Sequence, residues 1–128
     1  MTDVRLPEGS QILLVDDEAL ILMVLEFAVV DAGAVPIPTP NLALALRALE
    51  DHAIDGAVLD MNLGAGDTCE PIARVLTGQE IPFILHSGDH VRLGEVIAAI
   101  DGPLVKKPAP GDVIVRALAR LMAAVGRR

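Results

Sequence analysis

Four places in this 128-residue chain carry groups that can act together: the acid pair Asp16-Asp17, the acid Asp60, the hydroxyl of Ser87 and the ammonium of Lys107. Each closes a short apolar run, namely Ile12-Leu13-Leu14-Val15, Ala57-Val58-Leu59, Ile84-Leu85-His86 and Leu104-Val105. A short apolar run bounded by turn residues fits a buried strand of a parallel sheet. Open α/β sheets place their chemistry at the carboxyl ends of such strands. Three carboxylates gathered there repel and raise one another's pKa values unless a cation joins them. Oxygen donors with room for several waters suit Mg²⁺. The ion would shield a carboxylate nucleophile from an incoming phosphate, while Lys107 and Ser87 would meet the phosphoryl oxygens. Lys106 competes for the lysine role, but strand alternation sends it to the opposite face. Taken singly these residues say much less: Asp16 or Asp17 would cap a helix, Ser87 would turn the chain before Gly88, and Lys107 would be a solvated lysine.

The elements that must hold these groups follow in order. Met1 to Ser10, with Pro7 and Gly9, reads as a loose lead-in. Strands are expected over Gln11–Val15, Ala34–Pro38, Ile54–Asp60, Ile81–His86 and Pro103–Val105. Helices are expected over Ala19–Asp31, Asn41–Asp51, Thr68–Leu76, Val91–Ile100 and Asp112–Val125. The prolines of the second strand suggest a sheet edge. Strand and helix alternate five times with short connectors, which predicts a parallel sheet covered by helices on both faces. Right-handed crossovers make a doubly wound layout the simplest arrangement.

Composition sets the outer limits. The length suits one domain, and 52% apolar residues supply a core without disulfide or metal. Aromatic residues are 2% of the chain, so that core is aliphatic. A net charge of −8 argues against general nucleic-acid binding. The single cysteine, Cys69, has no internal partner, which suits a reducing compartment. No secretory signal is visible, and the apolar stretch Ala19 to Val30 is short and interrupted by Glu26, so a cytoplasmic protein away from membranes is expected. His52, His86 and His90 lack metal-ligand spacing and read as structural or exposed.

The set Ile12-Leu13-Leu14-Val15-Asp16-Asp17-Glu18, Val58-Leu59-Asp60, His86-Ser87-Gly88 and Lys107-Pro108 resembles the receiver domain of bacterial two-component response regulators, the CheY-like family. The likeness spans nearly the whole chain. It implies a flavodoxin-like α/β fold, a five-stranded parallel sheet in the order 2-1-3-4-5 with five helices, formed by residues 11–125 as a stand-alone receiver without an output domain. It implies that Asp60 accepts a phosphoryl group from a histidine kinase or a histidine phosphotransfer protein. Asp16, Asp17, Asp60 and the backbone carbonyl of Asn62 would hold Mg²⁺, and Ser87 and Lys107 would sense the phosphoryl group. Such a protein is a signalling phosphoacceptor rather than an enzyme, acting through protein contacts with a downstream partner or a second copy.

The chain departs from the family in two places. Leu104 stands where an aromatic residue usually precedes the Lys-Pro lysine, so ring rotation is not its readout. The loop Leu63-Gly64-Ala65-Gly66-Asp67 lacks the usual proline, and its glycines allow a more mobile connection. Asn62 and Asp89 would flank the phosphoryl group and tune its hydrolysis. The helices over Ala19–Val30 and Val113–Val125 carry few polar residues, which fits either a generous aliphatic core or an apolar face offered to a partner, with Leu22 and Val29 as the test positions. Two other readings compete: a degenerate receiver serving as a binding module, and an Asp-nucleophile phosphatase. Enzymes of the latter kind, the haloacid-dehalogenase type, want a carboxylate two residues beyond the nucleophile, where this chain has Asn62.

Overall fold

Short β-branched and aliphatic runs form the strands of this computed structural model, which describes residues 5–88 and 102–126. They are β1 (Gln11–Val15), β2 (Val35–Thr39), β3 (Gly56–Leu59), β4 (Phe83–Ser87) and β5 (Leu104–Lys106). Among the described residues the helices are α1 (Ala19–Asp31), α2 (Leu42–Asp51), α3 (Glu70–Gly78) and α4 (Gly111–Gly126). All neighbouring strands pair in parallel, in the order β2-β1-β3-β4-β5. The helix expected over Val91–Ile100 lies outside the described residues.

Strand alternation sorts the core into two layers. Leu13, Val15, Ala57, Leu59, Phe83 and Leu85 point to the side of α2 and α3, where Ala45, Ile72 and Leu76 meet them. Ile12, Leu14, Val58 and Ile84 point to the side of α1 and α4, where Leu25, Val29, Ile114 and Leu118 close the layer. Helices α1 and α4 come close together at Gly111, where a Cβ would stand 2.9 Å from that of Ala28. The prolines of β2 do lie on a sheet edge. Leu6, 4% exposed, joins the α1 side, and its backbone N–H donates to the carbonyl of Ala32 at 3.0 Å, so the lead-in is tied to the domain from this residue on.

Several boundaries differ from the sequence reading for local reasons. Asn41 caps α2 instead of beginning it, its side chain accepting from the backbone N–H of Leu44 at 2.8 Å. Thr68 pairs with Asn62 in an antiparallel bridge, so α3 starts only at Glu70. Ser87 is the last residue of β4 and not the first of its loop. Glu18 is the residue before α1, and it makes no side-chain cap; Asp16 and Asp17 are not caps either.

Candidate functional site

The sheet order changes direction between β1 and β3, and there the strand ends carry the acids. The backbone N–H of Asp60 donates to the carbonyl of Val15 at 2.8 Å, and that of Asp16 to Thr39 at 3.3 Å. These bonds fix both residues just past the ladder. Asp16 and Asp60 are 1% and 5% exposed, whereas Asp17 faces solvent. One carboxylate oxygen from each of the three lies within 4.8 Å of the others. Asp16 also accepts from the backbone N–H of Glu18 at 2.9 Å, which shapes the turn that presents Asp17.

Lys107, placed directly after β5, reaches back across the sheet end. Its Nζ lies 3.2 Å from Asp16 Oδ2 and 3.3 Å from Asp60 Oδ2. Lys106 is exposed, as strand alternation predicts. The backbone N–H of Lys107 donates to the carbonyl of Ser87 at 3.1 Å, which brings the ends of β4 and β5 together. Ser87, Asp17, Glu18, Asp60, Asn62 and Lys107 all line one cavity of about 300 Å³, with Gly64 and Gly88 at its rim. Of the residues named for this site, Asp89 lies outside the described residues.

The loop after Asp60 is stitched rather than loose. Leu63 and Asp67 are joined by a backbone hydrogen bond of 3.0 Å, and Asn62 Oδ1 accepts from the N–H of Gly64 at 3.2 Å. Gly64 has φ +80°, and a Cβ on it would come within 3.5 Å of Asp17 Oδ2. The positive φ of the turn is what calls for glycine here, since a Cβ would meet the acid only at ordinary contact distance.

Charge explains the site's readiness for a cation. Burial and the neighbouring Asp16 push the Asp60 carboxyl up to about 7 against the pull of Lys107. For Lys107 burial works the other way, but Asp60 and Asp16 outweigh it and its pKa is raised. The ammonium thus holds two buried carboxylates together. The donor set, three carboxylates of which one is open to solvent, fits a hard divalent ion that keeps some of its water. Asp16, Asp17 and Asp60 form a Mg²⁺ site of the kind receiver domains carry. Cys69, buried with its thiol pushed up to about 12 by burial and by Asp60, takes no part in such chemistry.

Sequence reading missed one feature and put the wrong residues on another. His86, next to Ser87 on β4, is 3% exposed, and among the described residues neither ring nitrogen has a hydrogen-bond partner. On α1 the outward face holds Leu20, Met23, Val24, Phe27 and Val30, from 44% to 74% exposed. Val29, one of the two positions expected on that face, is fully buried, and Leu22 packs on the core. Among the described residues no helix is long and apolar enough to cross a membrane.

No family model matches the chain. The regulatory protein VirG of Rhizobium rhizogenes is 28% identical over 93 residues, covering 72% of this chain and 38% of that protein. Its counterpart from Agrobacterium tumefaciens is 29% identical over 93 residues and 34% covered. The chain therefore spans well under half the length of these curated relatives. Among solved structures, a response regulator receiver protein from Sinorhizobium medicae superposes with a TM-score of 0.81 at 28% identity, covering 91% of this chain and 97% of that one. A CheY-like receiver domain protein from Methanospirillum hungatei, at 16% identity and a TM-score of 0.80, shares the fold over 94% of this chain and 98% of its own. In strand order, acid cluster and sequence alike, the chain matches the CheY-like response regulator receiver domain.

Proposed function

We propose that residues 11–125 form a phosphoacceptor unit in which Asp60 takes a phosphoryl group from the phosphohistidine of a histidine kinase or a histidine phosphotransfer protein. The observation that carries this reading is the convergence of Asp60, Ser87 and Lys107, from three different strand ends, on one cavity that Asp17 also lines. An oxygen of the Asp60 carboxylate attacks phosphorus as the donor's N–P bond breaks, and the electron pair of that bond remains on the imidazole nitrogen. Mg²⁺ held by Asp16, Asp17, Asp60 and the backbone carbonyl of Asn62 would supply charge neutralisation between carboxylate and phosphate. Lys107 then shifts its ion pair toward the new phosphoryl oxygens, and Ser87 donates its hydroxyl to one of them. Asn62, which lines the same cavity, would influence the water that ends the phosphorylated state.

The unit is a signalling phosphoacceptor that assists its own phosphorylation and dephosphorylation. Its partners follow from its likeness to response regulators, and the exposed apolar face of α1, beside the acids, is the surface on which the donor would rest. Intact-mass measurement after incubation with a small phosphodonor, with and without Mg²⁺, tests the reading. Wild type gains one phosphoryl group only with the metal, and Asp60→Asn gains none. An adduct on the Asp60→Asn variant, or none on wild type, would refute it. Steady turnover of unrelated phosphoesters would instead favour a phosphatase.

A further inference from the structure

Of the described acids lining the phosphoacceptor cavity, Asp17 and Asp60 belong to the metal cluster and Glu18 does not. Nor does the Glu18 side chain cap α1, although it stands directly before that helix. It is 63% exposed, against 6% for the Asp60 side chain and 16% for that of Lys107, so its carboxylate marks the solvent side of the cavity. Among the described residues its one ionic contact is Lys107 Nζ at 4.0 Å, and that ammonium lies closer to Asp16 and Asp60. The Glu18 charge is thus left largely uncompensated where a phosphodonor must enter.

Phosphodonors differ in the charge they bring to that place. In a phosphoramidate or a phosphohistidine, the nitrogen on phosphorus belongs to a group that can hold a proton and with it a positive charge. As the Asp60 oxygen bonds to phosphorus and the N–P bond breaks, the electron pair stays on nitrogen, and a cationic donor group departs neutral. In an acyl phosphate the O–P bond breaks, the electron pair stays on oxygen, and the leaving group departs as a carboxylate anion. Attacking and leaving atoms lie roughly in line. Asp60 attacks from the buried end, so the leaving group stands on the solvent side with Glu18. A carboxylate there steadies a cationic leaving nitrogen and opposes a departing anion.

We propose that Glu18 selects the class of phosphodonor, favouring N-phosphoryl donors whose leaving nitrogen is protonated over acyl phosphates. The proposal rests on the reading of Asp60 as the phosphoacceptor and adds the donor chemistry to it.

Intact-mass time courses in Mg²⁺, with phosphoramidate and acetyl phosphate as probes on the full chain, give the ratio of the two phosphorylation rates. Near neutral pH the first probe carries one net negative charge fewer than the second. A unit charge met across roughly 6 Å of water changes a rate about threefold. Glu18→Gln should therefore lower the preference for phosphoramidate about threefold and Glu18→Lys about tenfold, while Glu18→Asp keeps most of it. Salt near 1 M, where charges are screened beyond about 3 Å, should erase the difference between wild type and Glu18→Gln. Exposed substitutions of this kind seldom disturb folding, and matching melting curves confirm it for each variant. An unchanged ratio in Glu18→Gln, or a change that survives high salt, overturns the proposal. So does equal slowing of both probes with a smaller Mg²⁺-induced rise in melting temperature, which would make Glu18 a support of the metal. If wild type takes a phosphoryl group from neither probe, the phosphoacceptor reading itself fails, and this proposal with it.

Discussion

Asp60 and Lys107 define what the site does before any ligand arrives. The Asp60 carboxyl titrates at about 7 in the folded chain against 3.8 for an unperturbed one, so the folded state holds its proton more tightly than the unfolded state does. Its charge therefore costs nothing below about pH 4, costs progressively more between about pH 4 and 7, and costs the full amount above that. Without Mg²⁺, urea denaturation should show stability falling across this window. Asp60→Asn should exceed wild type at pH 8 by up to about 4 kcal/mol, a gap that closes near pH 4. Equal stabilities at pH 8 would mean that Lys107 fully compensates the buried charge. Lys107→Met removes that compensation and leaves Asp16 and Asp60 facing each other. It should lose about 3 kcal/mol at pH 8 and regain much of it on adding Mg²⁺, seen as a larger metal-induced rise in melting temperature than wild type shows. The acids and the lysine were legible in the sequence because each follows an apolar run, and a charged group after a buried strand has few places to go. The predicament of His86 was not legible. A histidine in an apolar run looks the same whether its ring nitrogens are matched or stranded, and only its surroundings in the folded chain decide which.

At the level of the element, α1 shows why periodicity sometimes carries no phase. Its residues are apolar all round, so the sequence could not say which face turns inward. The core took Leu25 and Val29 and left Phe27 and Leu20 outside. Phe27→Glu should change stability by no more than about 0.5 kcal/mol while slowing phosphotransfer from a protein donor and sparing phosphorylation by a small one. Val29→Ala, by contrast, should cost about 2 kcal/mol in thermal or urea melts. Retained stability in Val29→Ala would show that the α1 layer can collapse around the lost methyls. In α2 the phase was plain: Leu42, Leu46 and Leu49 share the core-facing side because charged residues mark the other. Thr68 went the other way, since its pairing with Asn62 across the glycine loop outweighed its place at the start of a helical pattern.

For the molecule as a whole, alternation of strand and helix was enough to foresee a parallel sheet sandwiched by helices, and family likeness supplied the strand order that the structure shows. Finer registration needed the structure, because where a strand stops depends on which neighbour it meets. The sheet's two outer strands have one further effect. In β2 the N–H of Val35 faces inward to Ser10, so the alternate positions Pro36 and Pro38 face outward, where neither has a hydrogen to offer. The far border, β5, is three residues long. Neither margin can recruit an extended segment from another chain, which protects a molecule rich in aliphatic surface from cross-β growth. Replacing both prolines by valine should hasten thioflavin-positive fibril formation on agitation, whereas wild type stays dispersed; any association between copies of the native fold must then proceed through helices, leaving the phosphoacceptor sheet a closed unit in crowded solution.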